Sequence, residues 1–403
     1  MENLSEPPQN LLEVATGSLQ PGMYIAGLDR PWLDTPFAVQ GFFVRDSEDI
    51  SFVAKHCSYV YVDPRRYRKL AVGKDKSPYR AQASPNSVSL KLEFIVATVE
   101  LESASEAMSK VFTQLRNNGH LDVRAMQRIV NPLIDSVLRN SEAMAALVRI
   151  KSQDDYLFNH SLSNAVWAAV FGRHLGLDRL TLKRLVLGAA IVDVGMTQLD
   201  ASLPNHERTL TEVELDCVKK HVGVGVELLK ESGNVHEDVV AIVECHHERF
   251  DGSGYPQGLE GQAIPLLARL TGLVDSYDAM ITTRPHAQAR SSFEALQELS
   301  DLKDQLFQGA LVEQFLQAIG LFPTGSVVEF NTGEVGVVVH QNPSRRLKPK
   351  IVVILDQAKK PYTKMVTVDL AKYDSASANA PELWISRELG PCAYGIQPDE
   401  YFL

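Results

Sequence analysis

Residues 246–256 read HHERFDGSGYP. Two adjacent histidines, an acid and then a Gly-Ser-Gly turn carrying Asp251 and Tyr255 concentrate polar chemistry in one short stretch. The segment before it, EDVVAIVEC (237–245), has the apolar spacing of a half-buried helix. A helix that ends in paired imidazoles and runs directly into a glycine-bearing loop is unusual enough to organise the reading of the whole chain.

Outward from this stretch the pattern stays helical. Met108, Val111, Phe112 and Leu115 recur at three- to four-residue spacing, and so do Met126, Ile129, Val130, Leu133, Ile134 and Val137. LTLKRLVLGAAIV, TEVELDCVKKHVGVGVELLK and ARLTGLVDSYDAMI continue the stripes to about Leu316, and a helical bundle is their natural packing. On either side the character changes. Residues 1–14 read as a tail, and 15–66 as a small β-rich domain of short β-branched and aromatic runs between Gly, Pro and Asp turns. Residues 67–89 read as a basic, polar linker, 90–150 as connecting helices and 151–320 as the core. Residues 321–403 read as a C-terminal β-rich extension, with FPTGSVVEFN, GEVGVVVHQ and PKIVVILD as its strands and no clear pattern after 378. The expected class is mainly α, a helical-bundle core between two small β segments.

A length of 403 residues is too much for one ordinary core. The net charge of −10 argues against a general grip on nucleic acid or anionic membrane. It leaves open a small phosphorylated ligand held by local cations. Four cysteines, Cys57, Cys217, Cys245 and Cys392, form no CxxC pair, and no signal peptide precedes them, which points to reduced thiols in a cytoplasm. No apolar run approaches the ~20 residues that span a bilayer.

Several polar residues interrupt the apolar faces of the helical region: His160, Asp193, His221, His246, His247 and Asp275. Singly, each has an ordinary explanation. His160 fits a hydrogen-bonded core histidine, Asp193 before Gly195 fits a helix end, and the double histidine fits a helix C-terminus favoured by the dipole. Together they form an N/O donor set suited to Fe, Mn, Zn or Ni, and buried carboxylates need cations or donors beside them. An aspartate shared by two ions would let water ionise near neutral pH and attack phosphorus. Cys245 points roughly 100° away from its neighbour His246 on a helix and reads as a buried thiol. His206 and His236 lie in polar stretches that read as solvent-facing, and His56 receives no role.

HHERFDGSGYP, followed by GLEGQAIPLLARLTGLVDSYDAMITTRP, resembles the HD-GYP subfamily of HD-domain metal-dependent phosphohydrolases. The resemblance spans about 151–320. TLTEVELDCVKKHVGVGVELL is similar to the family segment that carries a metal histidine, and the LQPGMYIAGLD module is similar to a small domain that often precedes these cores. The resemblance implies two or three divalent ions, commonly iron or manganese, and hydrolysis of cyclic di-GMP to pGpG or GMP. It implies His160 and Asp275 at a first site, Asp193 as bridging carboxylate, and His221, His246 and His247 at a second site and any third ion. Gly254, Tyr255 and Pro256 would form the loop beside the ligand, with Asp193 and Tyr255 closest to the chemistry. Arg284 would face a phosphate as a forked donor.

Three positions depart from that pattern. The family's His-Asp pair is Val192-Asp193 here, Met196 stands in place of a phosphate-binding lysine, and Ala287 follows His286 where a second cation is expected. A charge-assisted hydrogen bond is worth about 1.5–3 kcal/mol, so each lost cation weakens phosphate binding by roughly ten- to a few-hundred-fold. His286 is a candidate for partial compensation. Two functions follow. One is a cyclic di-GMP phosphodiesterase, impaired to some degree. The other is a catalytically inactive regulator that binds cyclic di-GMP or a diguanylate cyclase of the GGDEF type. A phosphohydrolase acting on other nucleotides is a third, weaker reading.

Overall fold

The computed structural model describes residues 11–30, 42–44, 47–66, 86–150, 156–199, 211–233, 235–283, 288–342, 348–373, 383–390 and 393–402. Arg284, His286, Ala287 and His206 fall outside them. None of the described helices is long and apolar enough to cross a membrane.

The N-terminal unit is a four-stranded antiparallel sheet of order β1-β4-β2-β3, from β1 (Leu12–Ala15), β2 (Tyr24–Leu28), β3 (Phe42–Phe43) and β4 (Tyr59–Val62). Helix α1 (Ser47–His56) precedes β4, and Ile25, Leu28, Val53, Val60 and Val62 close a small core. β1 therefore begins inside the stretch that reads as tail, because Leu12 and Val14 pair opposite Val62 and Val60. His56 packs edge-on against Phe52, ring centroids 5.0 Å apart.

The helical region runs α2 (Leu90–Asn118), α3 (Val123–Arg139), α4 (Ser141–Ile150), α5 (Tyr156–His174), α6 (Arg179–Ala190), α7 (Glu212–Lys219), α8 (His221–Ser232), α9 (Glu237–Cys245), α10 (Leu266–Ile281), α11 (Ser292–Asp301) and α12 (Gly309–Ile319). The ends follow local chemistry. Gly119 stops α2 at φ 69, where only glycine is unstrained. Asp122 and Asp178 cap α3 and α6 through their carboxylates, and Thr211 with Glu214 forms a capping box on α7. The stripes Met108–Leu115 and Met126–Val137 are buried. They share one apolar core with Val166, Phe171, Leu185, Ile242, Leu270 and Phe315, so α2–α4 are part of the bundle.

The C-terminal strands β5 (Val327–Phe330), β6 (Val335–His340), β7 (Lys350–Leu355), β8 (Pro361–Asp369) and β9 (Ile385–Glu388) form an antiparallel sheet of order β8-β7-β6-β5-β9. Val327, Val335, Val337 and Leu355 pack into the helical core, and Phe402 stacks on Phe94 of α2 at 5.0 Å. Glu388, with only 2% of its side chain exposed, accepts from Arg149 of α4 at 2.7 Å, Ser326 at 2.8 Å and the Phe293 amide at 3.0 Å.

His340 at the end of β6 faces Glu142 of α4 at 3.0 Å, and that hydrogen bond raises its pKa above the usual histidine value. A histidine whose folded pKa is raised stabilises the fold below its unfolded pKa, near 6.5, and loses that contribution as pH climbs through the folded value. The pair is half-exposed, so the effect stays within the ~0–1 kcal/mol typical of surface ion pairs. Between pH 6.5 and 8 the thermal midpoint should fall slightly in the native chain, and this component should vanish in His340→Gln. Parallel midpoint curves for the two proteins would contradict the assignment.

Candidate metal centre

Five elements converge on one pocket. α5 brings His160, Asn164 and Trp167, which lie on one face at i, i+4 and i+7. The turn after α6 brings Asp193, the first residue of α8 is His221, the end of α9 supplies His246 and His247, and the buried middle of α10 supplies Asp275 and Asp278. Asp193 immediately precedes a short 3-10 turn (Val194–Gln198) whose backbone presses against the start of α8.

The atoms that could hold a metal form two clusters that share Asp193. In the first, His160 Nε2 lies 2.8 Å from Asp275 Oδ1 and 3.6 Å from Asp193 Oδ2. In the second, Asp193 Oδ1 lies 3.2 Å from His221 Nε2 and 3.8 Å from His246 Nε2, with His247 completing the group. All six histidines and aspartates singled out in the sequence are therefore brought together.

The outer partners fix which nitrogen faces inward. His221 Nδ1–H donates to the Val218 carbonyl at 2.7 Å and His246 Nδ1–H to that of Val243 at 2.9 Å. His160 Nδ1–H donates to Asp278 Oδ2 at 2.7 Å, and Asp278 in turn accepts from Trp167 Nε1–H at 3.0 Å. These bonds point the Nε2 atoms of His160, His221 and His246 into the pocket, the orientation that metal ligation requires. Asp278 and Trp167 are absent from the sequence reading. The signal for Asp278 was its place one turn beyond Asp275 in an otherwise apolar helix.

Electrostatics point the same way. Burial pushes His246 down to about 4, so its imidazole is neutral at physiological pH, and burial likewise drives His247 well below its ordinary value. Burial alone would raise Asp275 and Asp193. The hydrogen bond from His160 to the former and from His221 to the latter overrides it and keeps both carboxylates ionised. His221 and His246 thus present Nε2 atoms 3.4 Å apart, beside an ionised carboxylate. The proton that His221 holds toward Asp193 occupies space a cation would take, and metal binding would displace it. Two anionic carboxylates and four inward imidazoles suit a pair of divalent first-row metals.

The 246–256 loop is braced by its own residues. Glu248, itself buried, accepts from the amides of Gln257 at 2.7 Å and Leu259 at 2.9 Å. Asp251 caps the turn by accepting from the Ser253 amide at 3.0 Å. Gly254 is required, because a Cβ there would lie 2.3 Å from the Arg249 nitrogen and 2.5 Å from the His247 oxygen. Tyr255 stacks on His247, ring centroids 4.6 Å apart, with Pro256 beyond it at the surface. Burial, reinforced by Asp193 and Asp275, raises the Tyr255 phenol above its ordinary value, so it keeps its O–H at physiological pH. Lys219 places Nζ 5.6 Å from the Tyr255 ring. Nothing in the local sequence signalled this cation, which arrives from α7 across a long separation. Val192 is fully buried, Met196 half-buried, and Cys245 packs with Ile264 and Ala268 away from the ligands. His236 caps α9, its ring nitrogen accepting from the Asp238 amide.

Residues 131–311 match the HD domain, 11–126 a domain of unknown function, and 327–377 a KOW domain associated with the HD domain. A cyclic di-GMP phosphodiesterase of Pseudomonas aeruginosa is 28% identical over 371 residues, covering 90% of this chain and 89% of its own. The cyclic di-GMP phosphodiesterase response regulator RpfG of Xanthomonas campestris is 29% identical over 249 residues, 58% of this chain and 65% of that one. A 3′3′-cGAMP-specific phosphodiesterase of Vibrio cholerae is 34% identical over 126 residues, 31% of this chain and 24% of that one.

Proposed function

This chain is an HD-GYP domain protein, and from that premise we propose that it is a metal-dependent cyclic di-GMP phosphodiesterase of the cytoplasm, cleaving the cyclic dinucleotide to pGpG or to GMP. One observation carries the reading: Asp193 belongs to both ligand clusters, with Oδ1 3.2 Å from His221 and Oδ2 3.6 Å from His160. A carboxylate so placed suits a two-metal centre and has no need to exist in a merely packed histidine core.

His160, Asp193 and Asp275 would hold the first divalent ion, iron or manganese, and Asp193, His221, His246 and His247 the second. When bound, such a pair supplies Lewis acidity for the phosphodiester and a water acidified toward neutral pH. The protein's own contribution is placement. Asp278 holds His160 by its outer nitrogen, and the Val218 and Val243 carbonyls do the same for His221 and His246. The protonated Tyr255 phenol is a hydrogen-bond donor for a phosphate or ribose oxygen at the rim. Arg284, placed here by the motif, would be a second donor, with a forked guanidinium. A GGDEF-type diguanylate cyclase is the protein partner in this reading, and co-purification tests it.

Lys219 stands where a phosphate cation is useful, near Tyr255, and offsets the cation missing at Met196. Its side chain is partly exposed and shared with Asp216 at 3.1 Å, so its effect is modest. Lys219→Ala should raise KM roughly three- to tenfold with kcat little changed. An unchanged KM would remove it from the site.

The test of the function is hydrolysis by protein purified without oxygen and loaded with Mn²⁺ or Fe²⁺, offered cyclic di-GMP, 3′3′-cGAMP and linear dinucleotides. Accumulation of pGpG from cyclic di-GMP supports the proposal. Tight binding of cyclic di-GMP with no product would reassign the chain as a nucleotide receptor.

A further inference from the structure

His160, Asp193 and Asp275 give the first metal position three protein ligands, fewer than the six that iron or manganese prefers. The next side chain in that pocket is Asn164, one helical turn beyond His160 on α5 and fully buried. Its amide terminus lies 3.2 Å from His160 Nε2 and 3.2 Å from Asp275 Oδ1, against two of the three ligand atoms. In the arrangement with nitrogen facing the cluster, its Oδ1 is buried and has no hydrogen-bond partner. An orphaned buried acceptor costs about 1–3 kcal/mol, and so calls for an explanation.

The two ends of a carboxamide have nearly the same shape. A half-turn of the amide plane exchanges them, leaving one buried group unpaired in either state, so that cost nearly cancels. The choice is then made by what the cluster holds. With acceptors alone, nitrogen faces inward and donates. With a divalent cation, the oxygen faces inward, because a carboxamide oxygen is a hard neutral ligand of the kind Mn²⁺ and Fe²⁺ take.

We propose that Asn164 is a ligand of the first metal position, its side-chain oxygen occupying coordination space that Val192, the apolar neighbour of Asp193, cannot fill. The proposal rests on the two-metal reading above and adds a residue to it. α5 thereby contributes two ligands a turn apart, His160 and Asn164, facing Asp193 and Asp275 from the opposite wall.

The test measures metal rather than turnover. Manganese-loaded protein is titrated with a chelator, with metal per chain read by elemental analysis and the thermal midpoint of the metal-free protein recorded in parallel. The native chain should hold two ions. Asn164→Leu, close in size, should hold one, with the chelator midpoint of the weaker ion shifted at least tenfold. Asn164→Asp should retain both. Adding Val192→His to Asn164→Leu should restore the second ion, since the imidazole enters from beside Asp193. Asn164→Leu holding two ions at the native midpoint would overturn the proposal. So would a loss that Val192→His does not repair and that comes with a lowered metal-free midpoint, which would make Asn164 a packing residue. A native chain holding no ion fails before any substitution is made and overturns the two-metal reading together with the proposal.

Discussion

Asp193→Ala should abolish cyclic di-GMP hydrolysis, by at least about a thousandfold, and empty both metal positions. The expectation follows from sharing. Removing an outer partner of a metal ligand costs roughly ten- to a hundredfold in affinity or activity. Asp193 is an inner residue of two clusters at once, so its loss acts on both. It also removes the carboxylate oxygen that His221 and His246 face at 3.2 Å and 3.8 Å. Asp193→Asn separates charge from shape: the fold should persist, as read by an unchanged helical circular dichroism signal, while metal content falls toward zero. Asp193→Ala retaining more than a few per cent of the native rate would mean the bridge lies elsewhere.

Gly195→Ala should be nearly as damaging, without touching a ligand. A Cβ on Gly195 would lie 2.0 Å from the His221 carbonyl oxygen and 2.7 Å from the Gly225 nitrogen. These are backbone atoms of α8, so no side-chain rotation relieves the clash. Either the turn that carries Asp193 or the helix that starts with His221 must move by an ångström or more. That displacement breaks the 3.2 Å pairing of the two residues. Overpacking of this kind typically costs 1–3 kcal/mol of stability. The larger consequence is to the site, where we expect a hundredfold or greater loss of metal affinity with the helical content retained. Native metal affinity in Gly195→Ala would show that the turn and α8 are not locked together as described.

Much of this centre was legible in the residues. His160, Asp193, His221, His246, His247 and Asp275 stand out because each breaks an apolar helical stripe, and burial of such groups needs a reason. The motif around Tyr255 then tied them to one chemistry. The outer layer was less visible. Trp167 looks like any core aromatic, and its bond to Asp278 exists only once α5 and α10 pack together. Lys219 belongs to a solvated face of α7 by its pattern, and only the fold carries it to Tyr255. Asn164 is masked for a different reason: an asparagine inside a helix is common, and its significance lies in the two ligand atoms beside it.

At the level of the fold, stripe periodicity marked α2 and α3 well, since Gly119 and Asp122 punctuate them chemically. What stayed hidden was long-range docking. β9 closes the C-terminal sheet beside β5 through pairing of Val328 with Glu388, sixty residues on in sequence. Glu388 is polar, so its strand carries no alternation that would announce it, yet it is nearly buried because Arg149 of α4 neutralises it. Pairings of that kind are decided by partners that are distant in the chain.

Asp193 is placed to join two divalent ions into one centre. Low-temperature electron paramagnetic resonance of the protein loaded with two equivalents of Mn²⁺ tests it most directly. Two manganese ions sharing a carboxylate are exchange-coupled, so the account predicts a multiline signal distinct from that of isolated ions, present in the native chain and lost in Asp193→Asn. A spectrum of magnetically isolated Mn²⁺ at full loading would contradict it.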